Sequence, residues 1–253
     1  MKIFKGLIFC FACMLLITCK KNETETAEKT GTVKVTIRNT VKGNPMLLFT
    51  GNYTNGFGEQ YKITKFKYYL SNVSVTGSPV NPVNVSYYLI DESNPASLSF
   101  SFQAPVKIYS AISFTLGVDS ARNVSGAQTG ALDPVNDMFW TWNSGYIMAK
   151  MEGNSPQSTA VNNKVEYHIG GFSGSNSIVK SIGFLFFASS PLLDVREGKT
   201  SEIFFEADFD KWWQGSYNLK IADNPVVTTP GVIAKNISNN YSSMFKIVDI
   251  KNY

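Results

Sequence analysis

The sequence predicts an all-β protein, an immunoglobulin-like β-sandwich with long loops, and three observations support this fold class. Apolar and polar residues alternate with a period of two in several segments, as in Val-Lys-Val-Thr-Ile-Arg at residues 33–38. Turn residues separate these segments, at 43–45, 77–79, 153–156 and 224–225. Sustained helical periodicity is absent. Many short strands with frequent turns are typical of sandwiches.

The strands are predicted in chain order from the positions of the alternating apolar residues. These lie at 33–37, 66–70, 112–118 and 203–209. In each segment one face packs on a core and the other faces water. Residues 182–188 are apolar apart from Gly183, which predicts a central strand buried on both faces. Short helices are expected near 91–97 and 208–213.

The N-terminus resembles the signal sequence of a bacterial lipoprotein. Lys2 and Lys5 precede an apolar run at residues 6–17, which is too short to span a membrane of about 30 Å. The run ends in Leu-Ile-Thr followed by Cys19, as in a lipobox. We therefore expect residues 1–18 to be a signal peptide and Cys19 to be the lipid anchor.

Removal of the signal peptide changes the cysteine count and the charge. Cys10 and Cys13 leave with it, so the single cysteine that remains is Cys19, and no disulfide or thiolate metal site is available. The formal charge falls from +4 to +2 with the loss of Lys2 and Lys5. A nearly neutral chain without basic clusters is not expected to bind nucleic acid.

Residues 19–31 are predicted to be the lipidated cysteine and a flexible tether, because they contain no large apolar side chain after Cys19. Residues 32–253 have the length of one domain. The expected location is the outer membrane of a gram-negative bacterium, with the domain lipid-anchored and either periplasmic or surface-exposed.

The sequence contains no recognisable catalytic constellation. Its single histidine is His168, and no nucleophile motif such as GxSxG accompanies it. Residues 51–58 are glycine-rich but lack the lysine of a phosphate-binding loop. We therefore expect a protein that is not an enzyme.

Residues 138–146, Met-Phe-Trp-Thr-Trp-Asn-Ser-Gly-Tyr, are the most specific segment. Together with Met-Glu-Gly at 151–153, they resemble the signature of the MbnP-like family of periplasmic or surface copper-binding proteins. Further segments agree with this resemblance in order along the chain, at 64–72, 87–93, 117–119, 167–171 and 240–245.

The resemblance implies a β-sandwich that holds one copper ion. In the family, a tryptophan oxidised to kynurenine by a partner dihaem peroxidase serves the metal together with histidines, and an outer-membrane transporter is a second expected partner. On this chain the tryptophan falls in the pair Trp140 and Trp142, with Trp140 preferred. His168 and Asp249 complete the predicted metal-ligand set, since imidazole nitrogen suits copper.

The chain departs from the family at the remaining histidine positions. Relatives often have histidine where this chain has Thr40, Tyr88, Asp249 and Lys251. Thioether sulfur from Met138, Met148 and Met151 is an alternative donor for Cu(I), although methionine commonly fills cores.

Two other functions remain open. An oxygen-ligand loop of Asp119, Asp133, Asn136 and Asp137 would suit Ca²⁺ in a structural role, although Asp and Asn are also common turn residues. A sandwich without metal would instead bind a partner protein or a glycan through exposed aromatic residues, with Trp212 and Trp213 as the platform.

Overall fold

The computed structural model describes residues 28–75, 78–79, 86–140, 145–186 and 191–253. The predicted signal peptide and Cys19 lie outside the described residues, as does the tether up to residue 27. The first strand begins at Thr30, two residues before the predicted domain boundary.

The strands are β1 (Thr30–Val41), β2 (Asn44–Pro45), β3 (Tyr53–Thr54), β4 (Gln60–Val75), β5 (Ser78–Pro79), β6 (Tyr87–Asp91), β7 (Ser99–Pro105), β8 (Lys107–Tyr109), β9 (Ala111–Leu116), β10 (Phe139–Trp140), β11 (Gly145–Asn154), β12 (Lys164–Gly170), β13 (Lys180–Leu185), β14 (Leu193–Val195), β15 (Thr200–Asp208), β16 (Val226–Val227) and β17 (Phe245–Lys251). The α-helices are α1 (Ser120–Val124) and α2 (Val232–Tyr241). Short 3-10 helices span Pro95–Leu98, Gly130–Leu132, Pro134–Asn136, Val161–Asn163, Gly174–Asn176 and Phe209–Trp212.

Two sheets form a β-sandwich, as predicted. The smaller sheet has the order β17-β15-β1-β2, with β7 also on β1. The larger sheet has the order β13-β9-β4-β11-β12-β16, with β3, β5 and β6 on β4 and β10 on β11. Most pairs are antiparallel, but β1 runs parallel to β15 in unbroken register from Thr32↔Thr200 to Thr40↔Asp208. A ribbon of β8 and β14 closes one end.

The core lies between the two sheets and is filled by the alternating residues that the sequence indicates. Val33, Val35 and Ile37 of β1 are buried, as are Phe66, Tyr68 and Leu70 of β4. Aromatic rings span the space between the layers, with Phe205 of the smaller sheet packing on Phe114 of the larger one at 5.7 Å between ring centroids. These contacts fix which face of each strand is inward, and therefore which side chains lie on the outer surface.

The prediction for residues 182–188 is wrong in part. β13 is an edge strand of the larger sheet and not a central one. Ile182 and Phe184 are half-buried and Leu185 is 63% exposed. Residues 187–188 lie outside the described part of the chain. The run is apolar because it borders a cleft of about 440 Å³ between β13 and β17, where one edge of the sandwich is open.

Helix α2 was not predicted. Its buried residues Ala234, Ile237, Ser238 and Tyr241 follow helical spacing, but the intervening Asn and Ser residues disfavour helix and conceal the pattern. The two short helices expected near 91–97 and 208–213 are present as 3-10 turns at Pro95–Leu98 and Phe209–Trp212. In the described part of the chain, no helix has the length and apolar character needed to cross a membrane.

Trp212 and Trp213 do not form an exposed platform. They are 0% and 1% exposed, and the Trp213 indole N–H donates to the Tyr61 hydroxyl at 3.0 Å. Adjacent tryptophans are both buried here because the 3-10 turn at Phe209–Trp212 directs both into the core beneath α2. The proposed aromatic platform for a glycan is therefore wrong at this position.

Candidate metal centre

The outer face of the larger sheet has charged residues on three adjacent strands, β4, β11 and β12. In one row Lys67 is opposite Lys150, which is opposite His168. In the next row Lys65 is opposite Glu152, and Glu152 is opposite Glu166. Side chains two residues apart on a strand point the same way, so these charges share one face. The flanking core residues, including Met151 and Tyr167, point to the other face.

His168 lies between two carboxylates. Its Nε2 is 2.9 Å from Glu152 Oε1 and 3.4 Å from Glu166 Oε1. One ligand atom from each of the three residues lies within 4.8 Å of the others. The three side chains are 14%, 27% and 21% exposed, so an ion from solvent has access to them. Among the described residues, Glu152, Glu166 and His168 are the histidine and acidic side chains whose ligand atoms are close enough together to hold one metal ion.

Lysines neutralise both carboxylates. Lys65 Nζ is 3.2 Å from Glu152 Oε2, and Lys164 Nζ is 2.5 Å from Glu166 Oε2. Lys150 is only 1% exposed; its ammonium lies 3.8 Å from Glu152 Oε1 and also contacts the carboxylate and the backbone carbonyl of Asp137. A buried ammonium needs such partners because isolated charges are costly to desolvate.

Asp137 reaches this network from the loop before β10. It follows the 3-10 turn Pro134–Asn136 and has a left-handed backbone with φ of 59°, which Asp tolerates better than most residues. Its carboxylate accepts from Lys65 at 2.8 Å. The loop thus covers Lys150 and separates it from water.

Two carboxyl groups of the network, Glu152 and Asp137, have pKa values well below their ordinary range. The hydrogen bond from His168 lowers the pKa of Glu152 to about 2, against the opposing effect of burial and with help from Lys65. Burial would raise the pKa of Asp137, but hydrogen bonds from Lys65 and Lys150 outweigh it and lower the pKa to about 2. Burial lowers the pKa of Lys150, and the contacts with Asp137 oppose it.

Trp140, on β10, packs on the face of β12 that carries His168. It is 5% exposed and packs over Gly170, where a β-carbon would lie 2.4 Å from the indole ring. Gly170 is two residues after His168 on β12, so both occupy adjacent positions on the outer face. Trp140 therefore packs on the strand face that carries His168, two residues along β12 from it. Trp142 lies in the undescribed segment 141–144.

The other predicted ligands lie elsewhere. Asp249 is exposed on β17 of the smaller sheet, opposite Phe204. Met151 faces the core side of β11, and Met148 Sδ accepts the Val118 N–H at 3.1 Å. Met138 is fully buried. None of these four is part of the cluster of donor atoms at His168.

The positions at which relatives have histidine are dispersed in this fold. Thr40 is opposite Asp208 and Lys251 is opposite Glu202 along the same strand, β15. Six residues of strand separate them, which is roughly 20 Å. They are too far apart to share one ion.

The residues of the predicted calcium loop make local contacts. Asp119 caps α1 and accepts from the Tyr87 hydroxyl, and Asp133 caps the turn Pro134–Asn136. The Asn136 amide donates to the Gly130 and Ala131 carbonyls. Asp137 is bound by two lysines, as described above. Such contacts are typical of Asp and Asn as turn residues, which is the alternative to a Ca²⁺ site at this loop.

Glu152 and Glu166 were missed as site residues. The signal for Glu166 is its i, i+2 spacing to His168, which places both on one strand face. Glu152 joins them only through the register of β11 against β12, which no local pattern indicates.

Comparisons with known proteins agree with this architecture. The family model described as MbnP matches residues 30–231. A solved structure, MbnP from Methylosinus trichosporium, superposes with a TM-score of 0.53 at 12% identity, covering 87% of this chain and 98% of that one. No curated protein matches in sequence. The structural likeness at this identity concerns the fold, whereas the family model covers most of the chain, and the chain therefore belongs to the MbnP family.

Proposed function

We propose that the protein is a lipid-anchored cell-envelope protein that binds a single transition-metal ion, with copper as the first candidate, and has no catalytic activity of its own. The observation that carries this proposal is the convergence of His168, Glu152 and Glu166 within 4.8 Å, beside Trp140. Membership of the MbnP family supports the choice of copper, because the resemblance to that family implies a bound copper ion.

The donor set fits a divalent ion of intermediate hardness. One imidazole nitrogen and two carboxylate oxygens suit Cu(II) or Zn(II) and leave coordination positions for water. The low pKa of Glu152 keeps its carboxylate ionised and available at neutral pH. A lone carboxylate cluster would favour Ca²⁺ or Mg²⁺, but the histidine shifts the preference toward transition metals.

The lysines set a limit on affinity. An ion at His168 displaces the contact of His168 with Glu152 and competes with Lys65 and Lys164 for the two carboxylates. We therefore expect weaker binding than at a site built from several histidines.

Trp140 is the position we propose for the oxidised tryptophan of the family. It is buried over Gly170, two residues after His168 on β12, and a dihaem peroxidase is the partner class that would carry out the oxidation. An outer-membrane transporter is the proposed acceptor of the metal. The peptide containing Trp140, isolated from the native host, should have a mass that differs from the unmodified sequence.

Copper binding is tested by loading the chain from residue 19, with Cys19→Ser so that no free thiol competes for the metal, with Cu(II) and removing excess ion. We expect about one copper per chain, with an electron paramagnetic resonance spectrum showing coupling to one nitrogen. His168→Gln should lose at least tenfold in affinity, since it removes the nitrogen donor. Glu197→Gln, at an exposed carboxylate far from the cluster, is the matched control and should bind as the parent does.

Retention of copper by His168→Gln at the parent affinity would place the ion elsewhere. If the parent binds no copper, the cluster has a structural role, in which His168 ties Glu152 and Glu166 across β11 and β12.

A further inference from the structure

The N-terminal segment of the chain joins the β-sandwich at one end of the domain. β1 begins at Thr30, and the Lys29 carbonyl accepts from the Val106 N–H at 2.9 Å. We call this the anchor-side end and define it as residues 28–31, 105–110, 185–186, 192–200 and 251–253. Backbone contacts and pairing join its parts, at Thr30↔Pro105, Leu193↔Tyr109 and Phe186 N–H to the Ser110 carbonyl.

The position of this end relative to a lipid anchor is bounded by chain length. Glu28 is nine residues after Cys19 along the chain. At about 3.6 Å per residue, this length spans no more than about 32 Å in any conformation. If Cys19 carries lipid, as the proposed function requires, the anchor-side end is held within that distance of the bilayer.

Large apolar side chains are exposed at this end. Their exposed fractions range from 43% to 63%, and they are Val106, Ile108, Leu185, Leu192 and Tyr253. The cleft between β13 and β17, with Phe184 and Ile250 among its lining residues, adjoins them. Single exposed apolar residues are ordinary on protein surfaces, but a group at one end with an adjoining apolar cleft indicates a contact surface.

Basic residues surround the apolar group. Lys29 pairs with Glu197 and Arg196 pairs with Asp194. Three further exposed lysines, Lys107, Lys199 and Lys251, form no salt bridge with a carboxylate in the described ranges. Apolar side chains that enter a bilayer surface, bordered by lysines that reach anionic headgroups, are the features of interfacial membrane binding.

We propose that the anchor-side end binds the lipid surface directly, so that the domain rests on the membrane and does not hang freely from its tether. The occupant of this surface is the bilayer in which the anchor sits. A lipid on a tether holds the domain near the bilayer but leaves its orientation free, whereas a second protein–membrane contact fixes that orientation.

The test uses the chain from residue 19 with Cys19→Ser, so that no lipid contributes. It is sedimented with vesicles of phosphatidylethanolamine and phosphatidylglycerol, and with vesicles of phosphatidylcholine. We expect the parent to sediment with the first vesicles, and the double variant Ile108→Asp/Leu192→Asp to lose at least tenfold in partitioning. Lys107→Glu/Lys199→Glu should lose binding mainly to the anionic vesicles.

Val135→Asp/Val161→Asp is the matched control, because these valines are 83% and 81% exposed and lie away from this end. It should partition as the parent does, and circular dichroism should show that all variants are folded. Failure of the parent to sediment, or an equal loss in the control, would overturn the proposal.

A parent that forms a dimer which the Ile108→Asp/Leu192→Asp variant abolishes, without binding vesicles, would assign the surface to a second copy and also overturn it. The mass of the N-terminal peptide from cells tests lipidation of Cys19 separately. No metal is added, so the outcome is independent of the copper site.

Discussion

At the scale of single residues, His168 is the centre of a nearly balanced set of charges. Glu152, Glu166 and Asp137 face Lys65, Lys150 and Lys164 over adjacent strands and one loop. Exposed ion pairs contribute little to stability, but Lys150 is 1% exposed and its partners are correspondingly important. The same charges serve the fold and compete with a bound ion, so a metal at this site must rearrange the network.

The network predicts how stability depends on pH. The folded-state pKa of Glu152, about 2, lies below its ordinary value of 4.5. Its ionised form therefore stabilises the fold above about pH 4.5, and this contribution is lost as the pH falls toward 2. We expect urea denaturation to show a decreasing free energy of unfolding over this range. In Glu152→Gln the slope should be smaller, by an amount on the order of 1–2 kcal/mol across the range.

The matched control is Glu197→Gln, at an exposed pair, which should retain the parent's slope. A Glu152→Gln variant with the same pH dependence as the parent would contradict the assigned pKa.

At the scale of elements, alternation identified the strands that have one face in the core. β1, β4, β9 and β15 lie where their patterns place them, although Val118 and Phe209 fall just beyond the strand ends. The pattern failed for β13, because an apolar edge strand beside a cleft has the same composition as a central strand. It also failed for α2, whose polar residues hide its periodicity.

Part of the candidate site was accessible from sequence. His168 and Trp140 share the outer face of β12 because Gly170, two residues after His168, leaves room for the indole, and the resemblance to the family named both. The pairing of Glu152 with Glu166 depends on strand register, which is set by long-range packing. Asp249 was assigned to the site without knowledge that β17 belongs to the other sheet.

Gly170→Ala tests the packing of Trp140 on β12. The added β-carbon would lie 2.4 Å from the Trp140 ring and 2.9 Å from the Tyr146 carbonyl oxygen, so the ring must move. We expect a loss of about 1–3 kcal/mol in the free energy of unfolding. Gly183→Ala is the control, since its nearest neighbour is 3.9 Å away, and it should be neutral or slightly stabilising in thermal unfolding. Equal effects of the two substitutions would contradict the contact.

At the scale of the whole molecule, a seam of phenylalanines joins the two sheets. Phe205 of β15 contacts Phe114, Phe184 and Phe245 with ring centroids 5.0 to 6.5 Å apart. The seam lies between the strands that border the open cleft, so its inner rings are buried and Phe184 is half-buried. Along β4, Lys67 in the row of His168 is eight residues from Val75, which pairs with Ile112 next to the anchor-side end. The candidate metal centre is therefore about 25 Å from that end.

Phe205→Ala should destabilise the molecule as a unit. The ring is 1% exposed, and its removal leaves a cavity between the sheets, with an expected cost of about 3–5 kcal/mol. Phe184→Ala, at the half-buried edge, should cost roughly half as much. Urea denaturation followed by circular dichroism and by fluorescence measures both values. Transitions at different urea concentrations for the two probes would contradict unfolding as a single unit.

The parallel pairing of β1 with β15 also has a consequence for the order of events during biosynthesis. β1 forms its longest register with residues 200–208, about two-thirds of the chain away, and these contacts have a high sequence separation. The smaller sheet cannot close until residue 208 has been synthesised, and contacts of this separation form slowly. β1 is therefore made long before its main partner, and the sandwich closes late relative to the synthesis of its first strand.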